Sequence, residues 1–429
     1  MKITVIGAGY VGLVTGLCLT KFGHQVWFLE NNAEKIFSLK NGKLPLVEPG
    51  LDLLFKQATK GKKIFFSRSY PSVINKTDIW FVCVGTPSLK DGSWSLAYVL
   101  EAIKTILKFK KPRKKGILVI KSTIDPNRVF QLNKLVAQDR NVTFAIMPEF
   151  LREGSAVEDF LNPTRLVVGI EDKEALSKLL KLHRKIRGRR IICSPVEAAL
   201  IKVLSNVFLP MKISFANLAA CYCEKLKADI CQVIEAVGLD PRIGKSYLGA
   251  GLGFGGSCFP KDTRGIIVSL RRLKISPLLF KSVLKINDQM VKLMRQKIKK
   301  CFKNKFNNKI VVLWGLTFKP NTDDIRESKS IQLLDYLSCL GFKELRACDP
   351  LVGKVVKKMY PQVKYFQNPY QSARNVDGVI LATEWDLFKK VNFKKLARLV
   401  RQKIVFDGRN ILDKIKLEKI GFKYYGIGR

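Results

Sequence analysis

Residues 2–30, KITVIGAGYVGLVTGLCLTKFGHQVWFLE, decide the fold of the first part of the chain. Gly7, Gly9 and Gly12 form the pattern G-x-G-x-x-G directly after the apolar run KITVI and before a helical pattern. In such a unit the first glycine permits a tight turn, the second lets a pyrophosphate approach the backbone, and the third lets the helix pack on the strand. The stretch predicts a dinucleotide-binding βαβ unit, and the alternative is a βαβ turn that binds no ligand.

An acidic residue ends the second strand of this unit. Glu30 follows the run QVWFL and stands 18 residues after Gly12, where a carboxylate would hydrogen-bond the ribose hydroxyls of a dinucleotide. Because a carboxylate repels a 2′-phosphate, Glu30 favours NAD over NADP as the cofactor. Lys35 either adds a positive charge near the adenosine or lies on an exposed helix face.

Short β-branched and aromatic runs alternate with helical patterns on both sides of a mainly helical middle. The runs DIWFVCVG, GILVIKST and VTFAIMPE are continuous apolar segments, typical of parallel strands buried on both faces. Strand patterns return in KIVVLWG and later runs. The sequence therefore predicts an α/β protein with two Rossmann-like doubly wound domains, residues 1–193 and 301–429, joined by a central helical domain, residues 194–300.

The chain is strongly basic. Its 429 residues include 77 Lys and Arg against 35 Asp and Glu, a formal net charge of +42. Such a charge favours anionic partners, whether nucleic acid, an acidic membrane surface or phosphorylated small molecules. The basic runs are dispersed, and none joins a known nucleic-acid-binding module. We therefore expect no nucleic-acid partner and interpret most of the lysines as solvated.

The remaining composition excludes several other classes of protein. No unbroken apolar run reaches the roughly 18 residues of a membrane span, so we expect a cytoplasmic protein without a membrane partner. The ten cysteines include no CxxC pair, so neither a disulfide framework nor a metal site is expected. The two histidines lie outside the motifs, which makes histidine-dependent hydroxyacid oxidation and zinc-dependent alcohol oxidation poor fits.

One cysteine lies in a glycine-rich segment, GLGFGGSCFPKD, residues 251–262. The letters FPKD predict the first turn of a helix, with Pro260 near its start. A thiol at a helix N-terminus, three residues from Lys261, is stabilised as a thiolate by the helix dipole and the charge. Cys258 is therefore predicted to be a nucleophile, and the alternative is a buried structural cysteine.

A nucleophilic thiol beside NAD has a distinct use. An alcohol oxidised once gives an aldehyde, which has no second hydride to lose until a nucleophile adds to it. Addition of the thiol gives a thiohemiacetal, hydride loss gives a thioester, and water releases a carboxylate. The sequence thus suggests a four-electron oxidation of an alcohol to an acid.

At this point the motifs identify a family. The chain resembles the nucleotide-sugar dehydrogenases, and within them the UDP-glucose 6-dehydrogenases, through motifs that follow in order across nearly the whole chain: GAGYVG, VGTP, KST, PEFLREGSAVEDFLNPTRLVVG, LIKVLSN, GFGGSCFPKD, GLTFKPNTDDIRES and FDGRN. The resemblance implies NAD-dependent conversion of UDP-glucose to UDP-glucuronate by a homodimer, with dimerisation through the central domain and UDP-sugar binding by the last domain. A GDP-mannose or other nucleotide-sugar 6-dehydrogenase is the alternative, and a non-catalytic anion-binding or nucleic-acid-binding protein is a remote one.

The resemblance also implies roles for single residues. Cys258 matches the family nucleophile, while Lys202 and Asn206, one helical turn apart, match residues that stabilise the oxyanion and hold the substrate. Glu149 matches a residue that acts on the hydrolytic water. Asp262 matches an acid that assists proton transfer with Lys202 and an ordered water.

Further contacts follow from the same motifs. Thr123 is implied both as a cofactor contact and as a residue that orients the catalytic water, and a helical turn at PEFLRE would place Glu149 and Glu153 on one face. Implied cofactor contacts are Gly7, Gly9, Tyr10, Val11, Gly12, Glu30, Lys35, Thr86, Thr123, Glu153, Lys261 and Arg326. Implied substrate contacts are Glu149, Phe150, Leu151, Arg152, Glu153, Lys202, Asn206, Tyr247, Leu248, Gly249, Ala250, Gly251, Gly255, Lys319, Arg409 and Arg242 of the partner subunit.

Two positions depart from the family pattern. After KST the family has Val-Pro-Val-Gly-Thr, whereas this chain has IDPNR, which adds Asp125 near the predicted nicotinamide loop. Pro210 falls within the helix that carries Lys202 and Asn206, where a kink is expected. Neither change removes a catalytic group.

Overall fold

The computed structural model describes all residues, 1–429, and divides into two compact units. Unit 1 comprises residues 1–205 and 264–276, and unit 2 comprises residues 206–263 and 277–429. Each unit is built around one largely parallel sheet with helices between successive strands. The predicted α/β class with two Rossmann-like parts and helices between them is confirmed.

Unit 1 contains an eight-stranded sheet. Its strands are β1 (Lys2–Ile6), β2 (Gln25–Leu29), β3 (Ile64–Ser67), β4 (Ile79–Val82), β5 (Gly116–Ile120), β6 (Val142–Ile146), β7 (Arg165–Gly169) and β8 (Arg189–Cys193). The strand order is β3-β2-β1-β4-β5-β6-β7-β8, and only the β6–β7 pair is antiparallel. Because β1 pairs with both β2 and β4, the chain reverses direction across the sheet at the end of β1, where doubly wound folds bind their ligands.

The helices of unit 1 cover both faces of this sheet. They are α1 (Tyr10–Lys21), α2 (Ala33–Lys40), α3 (Leu51–Lys60), α4 (Tyr70–Ile74), α5 (Ala97–Phe109), α6 (Val129–Val136), α7 (Ala156–Leu161) and α8 (Lys173–Leu182), and a 3₁₀ turn (Pro126–Arg128) precedes α6. Nine of the twelve residues of α1 are buried, so this helix is a core element. The glycine turn at its N-terminus is thereby held against the carboxyl end of β1.

Four helices make up the middle of the chain: α9 (Pro195–Lys225), α10 (Ile230–Leu239), α11 (Phe259–Arg272) and α12 (Leu278–Phe302). The boundary between the units crosses α9 after Ser205 and α11 after Thr263. The α9 helix continues through Pro210 rather than ending there. Proline has no backbone N–H, so the carbonyl of Asn206, one turn earlier, lacks its usual helical donor.

The α9 helix is long and apolar enough to cross a membrane by length and composition alone. Its most apolar window has a mean hydropathy of 1.4, and 44% of that window is buried inside the structure. Helices packed inside a protein core pass the same test, so this property is weak evidence for a membrane span.

Unit 2 contains a six-stranded, all-parallel sheet. Its strands are β9 (Ile310–Trp314), β10 (Glu344–Cys348), β11 (Lys364–Phe366), β12 (Gly378–Leu381), β13 (Ile404–Asp407) and β14 (Lys423–Gly426). The order β11-β10-β9-β12-β13-β14 repeats the pattern of the first six strands of unit 1. The remaining helices are α13 (Lys329–Ser338), α14 (Gly353–Met359), α15 (Pro369–Ser372), α16 (Asp386–Lys389), α17 (Phe393–Ala397) and α18 (Lys414–Lys419).

Candidate active site

The three glycines after β1 meet three different steric demands. Gly7 has φ +94°, and a Cβ there would lie 2.9 Å from the carbonyl oxygen of Cys83. A Cβ on Gly12 would lie 1.9 Å from the carbonyl oxygen of Gly7, so α1 packs directly on the turn. Gly9 caps α1, and a Cβ there would meet no atom within 4 Å. The turn therefore leaves open space at a helix N-terminus, which fits a bound pyrophosphate.

This difference predicts opposite results for two alanine substitutions. Gly12→Ala is expected to lower the free energy of unfolding by about 1–3 kcal/mol or more, because the methyl group overlaps backbone. Gly9→Ala is expected to change stability by less than about 0.5 kcal/mol and to weaken NAD binding about tenfold, because the methyl group intrudes on the pyrophosphate. Urea unfolding and NAD titration by calorimetry measure both effects. Equal NAD affinity for Gly9→Ala and the unaltered chain would contradict the placement of the pyrophosphate.

Glu30 is held at the end of β2 by three donors. Its Oε2 accepts hydrogen bonds from the backbone N–H of Ala8 and from Lys35 Nζ, both at 3.1 Å, and its Oε1 accepts one from the N–H of Asn32 at 3.1 Å. Burial raises the pKa of this carboxyl, but the hydrogen bonds from Asn32 and Lys35 outweigh burial, and the pKa is lowered overall. The carboxylate thus stays charged at neutral pH and loses its charge only as the pH falls through this lowered pKa. The Lys35 ammonium group is 3.1 Å from the Glu30 carboxylate, so its positive charge also lies at the end of β2.

The two predicted threonines follow adjacent strands of unit 1. Thr86 comes after β4 and is buried, whereas Thr123 comes after β5 and is half-buried. Because β4 and β5 are parallel neighbours, both threonines lie at the carboxyl edge of the sheet, where such folds bind ligand.

Glu149 and Lys202 form a buried ion pair in unit 1. Glu149 Oε1 and Lys202 Nζ are 2.6 Å apart, and the two side chains are 8% and 5% exposed. Lys202 Nζ also lies 5.5 Å from the centre of the Phe150 ring. Two residues implied for water activation and oxyanion stabilisation are therefore in direct contact.

The segment around Glu149 is a loop, so the condition for Glu149 and Glu153 to share a face, a helical turn at PEFLRE, is not met. Residues 147–152 have no regular structure, and the next helix, α7, begins at Ala156. The Glu149 carboxylate accepts the backbone N–H of Leu151 at 2.7 Å, and Gly154 has φ +82°. Both features turn the chain away from helical geometry, so Glu149 and Glu153 do not share a helix face.

A residue that the sequence analysis did not single out holds this loop. Glu48, which is 5% exposed, accepts the backbone N–H groups of Gly154 at 2.6 Å and Ala156 at 2.7 Å. It also accepts a hydrogen bond from the Tyr10 hydroxyl, and burial, followed by this bond, raises the pKa of Tyr10. Glu48 thus connects the start of α1 to the loop. The only signal in the sequence is an acidic residue in an otherwise apolar run, LPLVEPG.

Cys258 lies at the start of α11 in unit 2, as predicted. The helix begins at Phe259, and the backbone N–H of Asp262 donates to the carbonyl of Cys258 at 2.8 Å, which makes Cys258 the capping residue of the first turn. The cysteine is exposed, a property that it shares only with Cys339. The alternative of a buried structural cysteine is therefore excluded.

Asp262, in the first turn of α11, is buried between two donors. Its Oδ2 accepts from Asn206 Nδ2 at 2.7 Å and its Oδ1 from Lys261 Nζ at 2.5 Å. The side chain is 1% exposed. Asn206 and Asp262, both predicted catalytic residues, are thus brought together within unit 2, and the Lys261 charge is directed at the aspartate.

Arg409 holds the glycine-rich loop of unit 2. Its Nη1 donates to the carbonyl of Gly253 at 3.0 Å and its Nε to the carbonyl of Ala382 at 2.7 Å. A Cβ on Gly251 would lie 2.7 Å from the Gly408 carbonyl oxygen, so the loop packs closely on the segment before Arg409. The arginine implied as a substrate contact therefore also fixes the loop that carries residues 247–251.

The other implied substrate and cofactor contacts of unit 2 are more exposed. Arg242 pairs with Asp240 at 2.6 Å and its side chain is 87% exposed, while Arg326 pairs with Asp324 at 2.7 Å and is 65% exposed. Lys319 Nζ lies 5.6 Å from the centre of the neighbouring Phe318 ring. Neither arginine is part of the core, so both side chains are accessible from solvent.

Three consecutive parts of the chain match domain models of one protein family. Models of the UDP-glucose/GDP-mannose dehydrogenase family match residues 1–187 (NAD binding domain), 196–289 (central domain) and 312–414 (UDP binding domain). A UDP-glucose 6-dehydrogenase of Rickettsia conorii is 38% identical over 433 residues, covering 100% of this chain and 99% of the relative.

Two solved structures share the fold. A UDP-glucose dehydrogenase from Pyrobaculum islandicum superimposes with a TM-score of 0.90 at 35% identity, covering 100% of this chain and 97% of the other. A UDP-D-ManNAc dehydrogenase from Pyrococcus horikoshii has a TM-score of 0.86 at 25% identity, with coverages of 100% and 99%.

Proposed function

The chain belongs to the UDP-glucose/GDP-mannose dehydrogenase family, and from this premise we propose that it oxidises UDP-glucose to UDP-glucuronate with NAD. The observation that carries the proposal is the exposed Cys258 thiol at the N-terminus of α11, because a thiol that adds to the intermediate aldehyde lets one enzyme oxidise an alcohol twice through a thioester. The relatives named UDP-glucose 6-dehydrogenase support UDP-glucose as the sugar nucleotide.

In the proposed reaction, Cys258 carries two successive covalent intermediates, a thiohemiacetal and a thioester. One UDP-glucose, two NAD and one water give UDP-glucuronate, two NADH and three protons. NAD, when bound, supplies the hydride acceptor for both oxidations. The C6 hydroxyl loses a proton and its carbon a hydride, the Cys258 thiolate adds to the resulting aldehyde, and the thiohemiacetal oxyanion so formed loses a second hydride to give a thioester. Water then attacks the thioester and gives up two protons, the C–S bond breaks, and the carboxylate and the thiolate are released.

Four polar residues serve these steps in the proposal. Lys202 and Asn206 stabilise the oxyanion that forms when the thiolate adds to the aldehyde and when water adds to the thioester. Glu149 accepts a proton from the hydrolytic water, and its contact with Lys202 keeps the carboxylate paired until it does so. Asp262 orients the Asn206 amide through their hydrogen bond.

NAD recognition fits the residues of unit 1. The open space at Gly9 accepts the pyrophosphate, and the charged Glu30 accepts hydrogen bonds from the adenosine ribose and repels a 2′-phosphate. We infer that residues 1–193 form the NAD-binding part, 194–300 the dimerisation part and 301–429 the UDP-sugar-binding part, a division that the three family models support. In the last part, Lys319 and Arg409 are the proposed UDP-sugar contacts.

A homodimer is also part of the proposal. Phe208, Phe215, Leu218 and Tyr222 lie on one face of α9 and are 54–68% exposed. An apolar stripe at this spacing is typical of a helix that packs against another protein surface, and a second copy of the chain is the proposed partner. Tyr222→Glu is expected to yield monomers by sedimentation velocity, and a wild-type chain that sediments as a monomer would contradict the dimer.

A cytoplasmic location is proposed for a chemical reason. A reducing compartment protects a nucleophilic thiol from oxidation, and none of the ten cysteines forms a disulfide.

The choice of sugar nucleotide is the part of the proposal most open to test. Initial rates of NADH formation should be measured with UDP-glucose, GDP-mannose and a UDP-N-acetylhexosamine. We expect kcat/KM for UDP-glucose to exceed the other two by about 100-fold or more, because a site built to hydrogen-bond one sugar nucleotide leaves polar groups unpaired with another. Turnover with GDP-mannose alone would replace the assigned substrate but retain the family.

A further inference from the structure

The loop after β5 contains a buried carboxylate that the proposed mechanism does not use. Asp125 is 2% exposed and stands where the chain departs from the family pattern. Its Oδ1 accepts the backbone N–H of Asn127 at 3.1 Å and the hydroxyl of Ser269 at 2.8 Å, and its Oδ2 accepts from Arg272 Nη1 at 3.1 Å. A single carboxylate therefore joins this loop to two successive turns of α11, within unit 1.

The neighbouring residue reinforces the same contact. Asn127 Nδ2 donates to both the carbonyl and the hydroxyl of Ser269, at 3.0 Å each. Ser269 is 4% exposed, so these hydrogen bonds are shielded from water. We call the contacts of Asp125 and Asn127 with Ser269 and Arg272 the α11 clamp. Buried, charge-assisted hydrogen bonds of this kind are among the stronger and more directional contacts in a protein.

A second loop packs on the same part of α11. A Cβ on Gly265 would lie 2.3 Å from the Trp94 ring, so the helix and the loop after β4 are in close contact. The loops after β4 and β5 carry Thr86 and Thr123, the predicted cofactor contacts. Both loops thus hold the helix that begins directly after Cys258.

We propose that Asp125 is a positioning residue for the Cys258 step. The α11 helix is continuous from Phe259 to Arg272, and Ser269 lies about 16 Å along its axis from Cys258 at 1.5 Å per residue. A helix moves as a rigid element, so fixing its later turns fixes the direction in which its first turn presents the thiol. The clamp thereby fixes the later turns of the helix whose first turn follows Cys258. This inference rests on the proposed function and adds a residue that no step of it requires.

Asp125→Asn tests the clamp with little change in shape. The asparagine oxygen can still cap the N–H of Asn127, but the side chain no longer offers two anionic acceptors to Ser269 and Arg272. Ser269→Ala removes the hydroxyl that both Asp125 and Asn127 contact, and it guards against a folding failure of the first variant. We expect kcat to fall about tenfold in each, within the range known for small misplacements of reacting groups, with the KM for NAD changed less than twofold.

The distinguishing readout is the alkylation of Cys258 relative to Cys339. Iodoacetamide labelling of the full-length protein, followed by peptide mass spectrometry, gives both rates in one sample, and Cys339 is the internal control because it is also exposed. We expect the Cys258:Cys339 ratio to fall about fivefold in both variants, and the double variant to be no worse than either single one, since they remove one network. Asp172→Asn, which alters a helix cap elsewhere in unit 1, should leave the ratio unchanged.

Several results would overturn the inference. A ratio that is unchanged or higher in Asp125→Asn and Ser269→Ala means that the clamp does not act on Cys258, even if kcat or Tm falls. A double variant whose losses multiply means that the two residues act separately. The labelling needs no sugar nucleotide, so it reports on the clamp even if the unaltered chain makes no NADH from UDP-glucose, a result that would refute the proposed function alone.

Discussion

Cys258→Ser is expected to abolish sustained formation of UDP-glucuronate while NAD still binds. Serine preserves the shape of the residue at the start of α11, but its hydroxyl is far less nucleophilic than a thiolate at neutral pH. The aldehyde then has no efficient route to a second hydride transfer. We expect kcat to fall by about 10³-fold or more, the scale seen when a covalent nucleophile is removed.

Steady-state NADH formation and calorimetric NAD binding measure the two halves of this prediction. The matched control is Cys339→Ser, which changes the other exposed cysteine and should retain full activity. Activity of Cys258→Ser within tenfold of the unaltered chain would refute the covalent route.

Lys202→Met is expected to impair both stability and catalysis. The substitution leaves the Glu149 carboxylate buried without its ammonium partner, which costs about 3–5 kcal/mol when a buried pair is broken from one side. It also removes a proposed oxyanion stabiliser, and loss of one such donor commonly lowers kcat by about 10²–10³-fold.

The double variant Lys202→Met/Glu149→Leu separates the two effects. Replacing a buried pair by apolar residues is often neutral, so part of the stability should return while activity stays lost; the hydrogen bond from the Leu151 N–H to Glu149 is not restored. Lys178→Met is the control, because its pair with Glu174 is exposed to solvent and should contribute little to stability. Urea unfolding and NADH formation provide the measurements, and a double variant less stable than Lys202→Met would contradict the buried-pair account.

The strands that the sequence misses have one position in common. The interior strands β4, β5 and β12 read as continuous apolar runs because both of their faces are buried. The strands β8, β11 and β14 are not evident from the sequence, and all three lie at sheet edges. Their sequences RRIIC, KYF and KYYG contain exposed basic residues, because an edge strand is partly solvated and charges there prevent pairing with other chains.

The candidate site likewise contains residues that the sequence predicts and contacts that it does not. The glycine turn, Glu30 and Cys258 are predictable because each depends on neighbours within one strand–turn–helix segment. The contacts of Glu149 with Lys202 and of Glu48 with Gly154 join residues 53 and 106 positions apart, and no local pattern indicates such pairs. The family resemblance implies the roles of single residues, but only the folded structure shows which side chains form hydrogen bonds and ion pairs with one another.

The central claim, that one enzyme carries out two oxidations through a thioester, is tested most directly by counting NADH. A limiting amount of UDP-glucose should be consumed to completion, with NADH followed by absorbance and the sugar nucleotides by chromatography. The account predicts two NADH and one UDP-glucuronate for each UDP-glucose, with no free aldehyde at any time. One NADH per UDP-glucose, or an aldehyde that accumulates in solution, would contradict it.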